Sequence, residues 1–123
     1  MCLFAKKKSR ADSDIICYKV GIPMENGITS PYMGFPFLFN KEYTDEAPEG
    51  LQELEGKKFC VSSGFFHSFG DKKRAEKEAN DLIRGYGGSI IFKVYRAIIP
   101  KGTEYYEGIL YDMCSKKIKI LND

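Results

Sequence analysis

The chain has 123 residues, of which 43% are hydrophobic and 29% charged, a composition typical of one globular domain. These fractions argue against a disordered tail, and no run approaches the roughly 20 apolar residues that a membrane helix needs. The net charge is only +2, so charge alone does not predict general binding to nucleic acid. We expect no membrane contact and rank nucleic acid last among partners.

The four cysteines form no Cys-x-x-Cys pair, and the chain has a single histidine, so a structural zinc site would need nearly every available ligand. We therefore predict no metal site. Cys17 and Cys60 lie among apolar residues and are expected to pack as small hydrophobes, reduced in the cytoplasm. The opening residues are too short for a signal-peptide core, and their basic run follows the apolar tip.

Residues 1–13 differ from the rest because they concentrate Lys6, Lys7, Lys8 and Arg10. We interpret them as a basic N-terminal arm, either solvated or docked on an anionic partner. Residues 14–123 are predicted to form a single α+β domain.

The first half of that domain predicts strands and one loop. Residues 14–22 are rich in β-formers, and residues 28–39 contain Pro31 and Pro36, which favours an edge strand or two short strands. Residues 41–55 are predicted to be an acidic loop with a helical turn at 51–54. Residues 57–66 predict a further, buried strand.

One helix is predicted over about 71–85, because apolar residues recur with helical spacing at Ala75, Ala79, Leu82, Ile83 and Tyr86. Asp71 or Ser68 is expected to cap its start, and the glycines at 85, 87 and 88 its end. Strands follow at 89–99, 103–111 and 116–121. The first of them is expected to be central, because both of its faces are apolar. The predicted fold is α+β, with a bent, mainly antiparallel sheet of five to seven strands.

Two patches hold the candidate ligand-binding residues. The first, at the predicted junction of strand and helix, contains His67 and Ser68, which either cap the helix or hold an anion at its N-terminus. The second contains Tyr105 and Tyr106, which strand alternation places on opposite faces, so that at most one stacks on a ligand. Arg96 lies on an otherwise apolar face of its predicted strand. It is therefore expected at the rim of the sheet or paired inside a cleft.

Several segments together resemble short, uncharacterised proteins of phages and prophages of gut bacteria. The likeness covers most of the chain, and its most specific pieces are residues 64–69 and 99–108, Gly-Phe-Phe-His-Ser-Phe and Ile-Pro-Lys-Gly-Thr-Glu-Tyr-Tyr-Glu-Gly. The resemblance implies a viral accessory protein of the host cytoplasm that acts by binding. It would inhibit a host protein, such as a defence protein, or sequester a nucleotide signal.

A weaker likeness in layout is to ADP-ribosyltransferases. Lys19, the run at 66–68 and the turn at 100–102 occupy places similar to the first strand, the strand before the helix and the Ile-Pro-x-Gly strand end of that family. The first-strand position is neither Arg nor His, and no Glu-x-Glu precedes the last strand. The resemblance implies an alternative function as an enzyme of this kind or as a degenerate binder of NAD or ADP-ribose, with Lys19 added to the candidate ligand-binding residues.

The sequence therefore predicts a binding protein rather than an enzyme, with no resident cofactor and no catalytic set. A nucleotide-like ligand would contact His67, Ser68, Arg96, Lys19 and either Tyr105 or Tyr106. The helix start would hold the phosphate, the arginine would pair with it, and the tyrosine would stack on the base.

Overall fold

The computed structural model describes residues 5–31, 34–46, 51–54, 57–61, 65–108 and 112–122. These ranges contain one helix and twelve strands: β1 (Ala5–Arg10), β2 (Ile15–Met24), β3 (Gly27–Thr29), β4 (Pro36–Leu38), β5 (Glu42–Thr44), β6 (Leu51–Leu54), β7 (Lys57–Val61), β8 (Phe66–Phe69), α1 (Lys72–Gly85), β9 (Lys93–Ile99), β10 (Glu104–Gly108), β11 (Asp112–Ser115) and β12 (Lys117–Ile120). Among these residues no helix has the length and apolarity to span a membrane.

Ten strands form one sheet in which every described pairing is antiparallel. The main path has the order β1-β10-β11-β8-β2-β9-β12-β5, and β3 joins β2 to β4. β6 and β7 form a separate two-stranded sheet. The α+β class and the single helix are as predicted, but the sheet has more strands than the five to seven expected.

The helix is stabilised by its two ends. Asp71 is the N-cap, and its side chain accepts a hydrogen bond from the Lys73 amide, so Ser68 is not the cap. At the other end the amides of Gly87 and Gly88 donate to Arg84 and Ile83. Both glycines have positive φ, a conformation that ends helices.

Two hydrophobic layers cover the two faces of the sheet. On the helix side, Ala75 and Ala79 of α1 pack on Val20, Phe69 and Phe92. We call this the helix-side face. On the other face, β3 and β4 contribute Ile28 and Phe37 to the larger core, which also contains Cys17 and Ile118. The burial of Cys17 agrees with its predicted packing, whereas the side chain of Cys60 lies outside the described residues.

Two segments differ from the expectations, and a third decides between two predicted alternatives. Residues 5–10 are a strand: β1 pairs with β10 from Ala5–Gly108 to Arg10–Glu104, which corrects the solvated-arm interpretation for these residues. The acidic loop contains β5, and its predicted helical turn is β6. The alternative of two short strands at 28–39 is correct, as β3 and β4, and they pack so closely that a Cβ on Gly27 would lie 1.9 Å from the Phe37 carbonyl oxygen.

Candidate functional site

The helix-side face has polar residues at the point where the helix begins. Tyr18 of β2 is paired with Arg96 of β9 on one side and with Phe69 of β8 on the other. Directly paired residues of antiparallel strands point to the same face, so these three side chains form one row on the helix-side face. The helix covers Phe69 but leaves Arg96 exposed.

An open cleft lies at this place, which we call the basic cleft. Its described lining residues are Tyr18, Lys72, Val94 and Arg96. Lys72 is the first residue of α1 and is exposed, whereas Tyr18 and Val94 are half-buried. Two cations from different elements therefore flank an aromatic ring and an aliphatic floor, an arrangement suited to an anionic ligand that also has a flat ring.

The first turn of α1 adds to this positive charge. Lys72, Lys73 and Arg74 follow one another, and the turn has no acidic residue. The helix dipole is positive at this end, so a carboxylate here would stabilise the helix. Each cation instead lowers the stability of the helix, by roughly 0.3–1 kcal/mol. The opposite end carries a single basic residue in its last turn, Arg84. The charge distribution thus opposes the dipole at the end of α1 that faces the basic cleft.

A second pocket, which we call the inner cavity, lies where α1 and β8 meet. Its volume is about 30 Å³, and its described lining residues are Lys19, Val20, Pro31, His67, Phe69, Glu78 and Leu82. The described register between β2 and β8 consists of one pair, Tyr18 and Phe69. Next to that pair, the Lys19 ammonium group donates a hydrogen bond to the carbonyl oxygen of His67. This side-chain bond stands where a further backbone hydrogen bond between β2 and β8 would lie.

Burial dominates the electrostatics of the inner cavity. Burial lowers the pKa of His67 to about 3, and the nearby Lys19 charge lowers it further in the same direction. Burial also lowers the pKa of Lys19 to about 8 and raises that of the adjacent Cys17 thiol to about 11. At neutral pH the imidazole and the thiol are therefore uncharged, and the lysine is mostly protonated.

The structure distributes the six predicted ligand-binding residues over several places. Arg96 lines the basic cleft, and Lys19 and His67 meet at the inner cavity. His67 and Ser68 belong to strand β8, not to the helix start, and Ser68 is buried on the opposite face. The six residues thus do not form one site.

The two tyrosines lie on opposite faces, as strand alternation predicts. Tyr105 is half-buried and packs against the larger core, on the face opposite to Arg96. Tyr106 is fully buried, with its ring centroid 5.3 Å from that of Phe65. Neither ring lines the basic cleft.

Sequence reasoning did not identify Tyr18 and Lys72. Tyr18 directly precedes the candidate residue Lys19 on a predicted strand, but this neighbourhood does not indicate a site. Its pairing with Arg96, 78 positions later, brings Tyr18 to the cleft. Lys72 lies outside the apolar spacing of the predicted helix, and it is exposed in the structure. The position of the start of α1 beside β9 could not be predicted from the sequence.

Comparison of the chain with protein-family models, curated proteins and solved structures gives no match. The likenesses to phage proteins and to ADP-ribosyltransferases therefore stay predictions. Among the described residues, no group of three or more His, Cys, Asp or Glu side chains is placed to hold a metal ion.

Proposed function

We propose that the protein acts by binding, and that its ligand is a phosphate-bearing, nucleotide-like molecule held in the basic cleft. Arg96 and Lys72 pair with the phosphate groups, and Tyr18 stacks on the base. With the resemblance to phage accessory proteins, this favours sequestration of a host nucleotide signal.

The observation that carries this proposal is the charge arrangement at the start of α1. Lys72, Lys73 and Arg74 follow one another at the positive end of the helix dipole, and Arg96 lies across the open cleft. The carboxylates of Asp71 and Glu78 offset part of this charge. Local choices that oppose the stability of a fold are typical of functional sites, and a phosphate group bound here would be attracted by these cations.

Isothermal titration calorimetry against NAD, ADP-ribose and cyclic AMP tests the proposal. The wild type is expected to bind at least one of them, and Arg96→Ala to weaken that binding by about 1–3 kcal/mol, as for the loss of a hydrogen bond to a charged group. Lys93→Ala is the matched control, because Lys93 is an exposed cation of the same strand with opposite parity. No heat with any ligand, or equal losses in both variants, would contradict the proposal.

A second candidate function, docking of a host protein, is favoured by an apolar surface on β2, β3 and β4. The register places Met24, Gly27 and Leu38 in one row, next to a row with Ile22, Thr29 and Pro36. Met24 is 38% exposed and Leu38 45% exposed. Since the glycine between them has no side chain, the two form a flat apolar surface of the kind that partner proteins cover.

Capture from host lysate tests this candidate by comparing variants. A protein retained by the wild type and by Ile16→Glu but lost with Leu38→Glu would support docking at this surface. Ile16 is the matched control because it is equally exposed, at 45%, but lies at the other end of β2. Retention by all three proteins would exclude the surface on β2 to β4.

A further inference from the structure

We infer that the inner cavity binds a small monovalent anion, with chloride or bromide as the fitting size. This site is separate from the basic cleft, and the argument does not depend on the proposed nucleotide ligand. It rests on the charges, the unpaired donors and the volume of the cavity.

The first step is the charge of Lys19. Lys19 is only 7% exposed. Its ammonium group contacts the His67 carbonyl oxygen and the face of the Phe37 ring, whose centroid is 5.6 Å away. Both contacts are with uncharged groups. Among the described residues no carboxylate lies within ion-pair distance of this ammonium group. A buried cation without a counter-charge is costly, so an anion beside it is strongly stabilised.

The second step is the charge of the neighbouring residues. Glu78 also lines the cavity, but its carboxylate lies 3.8 Å from Nη1 of Arg74. The Arg74 guanidinium group in turn lies over the ring of Phe69, a lining residue, at 5.5 Å. Cys17 and His67, the other titratable groups facing Lys19, are uncharged at neutral pH. The Glu78 carboxylate is therefore paired with Arg74 and not with Lys19.

The third step is the unpaired donors. Neither ring nitrogen of His67 has a hydrogen-bond partner among the described residues, although both are buried, and the same holds for Nη1 of Arg74. A neutral imidazole has one N–H, and the Lys19 ammonium group has hydrogens left after donating to His67. The N–H of His67, Nη1 of Arg74 and the remaining ammonium hydrogens of Lys19 can therefore donate to an anion.

The fourth step is size and lining. The free volume of about 30 Å³ exceeds the roughly 10–15 Å³ that one water molecule needs, so a chloride or bromide ion also fits. Val20, Pro31, Phe69 and Leu82 make part of the lining apolar, which suits a weakly hydrated ion of single charge.

Thermal unfolding in mixtures of sodium chloride and sodium gluconate at constant ionic strength tests this inference, since gluconate is too large to enter. The melting temperature of the wild type is expected to rise saturably with chloride, by roughly 3–6 °C. Lys19→Met is expected to lose this rise, and Arg96→Ala, in the basic cleft, to keep it. No chloride dependence in the wild type, or an unchanged dependence in Lys19→Met, would overturn the inference.

A second measurement needs only the wild type. Crystals grown in sodium bromide are expected to give an anomalous peak between Lys19 and His67. Bromide peaks at surface lysines or in the basic cleft alone would overturn the inference and leave water as the occupant of the cavity. Because nucleotide binding does not enter either measurement, failure here leaves the proposed function untouched.

Discussion

Lys19 and His67 show how strongly the environment of a residue sets its chemistry. Both are buried titratable side chains at the inner cavity, and the pKa of each is lowered, for His67 to about 3 and for Lys19 to about 8. The histidine is consequently a neutral donor and acceptor over the whole physiological range.

His67 is expected to make the protein acid-sensitive. Its pKa is about 3 when folded and 6.5 when exposed, so below pH 6.5 the unfolded chain takes up a proton that the folded chain does not. The free energy of unfolding should therefore fall with pH below 6.5, by at most about 2 kcal/mol at pH 5. Urea denaturation at pH 7 and pH 5 measures this loss.

His67→Leu is the test variant, because His67 is the only histidine of the chain. The variant should lose clearly less stability than the wild type between the two pH values. Equal losses in both proteins would show that the imidazole is solvated in the folded state.

Phe92 is expected to be one of the most stabilising side chains of the helix-side layer. It is 4% exposed and packs with Val20 and Phe69. Phe92→Ala should cost about 3–5 kcal/mol, the usual range for truncating a core aromatic residue. Ile91→Ala is the matched control, since Ile91 is 62% exposed and its truncation should cost little. Similar denaturation midpoints for the two variants would contradict the packing of this layer.

At the scale of elements, the helix could be predicted from the sequence because its signals are local. The apolar spacing, the Asp71 cap and the terminal glycines all lie within 18 residues of one another, from 71 to 88. Strands β5 and β1 could not. β5 has three residues, too few to show alternation, and β1 is so rich in lysine that its composition indicates solvent exposure.

The first turn of α1 should reveal a conflict between stability and binding. Lys72→Glu places a carboxylate at the positive end of the helix dipole, so it should stabilise the free protein by about 0.3–1 kcal/mol. The same change reverses a charge in the basic cleft and should abolish nucleotide binding. Lys72→Gln, which only removes the charge, should have an intermediate effect on both quantities. A destabilised Lys72→Glu variant would show that the lysine has a structural role in the free protein.

At the scale of the whole molecule, the candidate site depends on pairings between distant parts of the chain. β2 lies between β8 and β9, so residues 15–24 contact residues near 67 and near 96. No local pattern encodes that order, which explains why Arg96 was recognised as a polar residue in an apolar strand while Tyr18, paired with it, was not. Of the residues predicted to form one site at the helix start, Arg96 lies in the basic cleft, whereas Lys19 and His67 lie at the inner cavity.

The basic N-terminal segment is expected to be structural. β1 lies at the edge of the sheet, Arg10 and Lys8 pair with Glu104 at 3.0 and 3.2 Å, and the backbone of Ala11 exchanges hydrogen bonds with the turn before β10. Deleting residues 1–10 should therefore lower the melting temperature, because β10 loses its partner strand. An unchanged melting temperature would restore the interpretation of a solvated arm.

The central claim is that an anion with a nucleotide-like structure binds between the start of α1 and Arg96. Amide chemical-shift mapping of labelled protein during a titration with ADP-ribose tests it most directly, because it locates the ligand as well as detecting it. The account predicts saturable shifts at Lys73, Arg74 and Arg96, and none at Gly27 on the far strand β3. Shifts confined to β3 and β4, or no shifts at millimolar ligand, would contradict it.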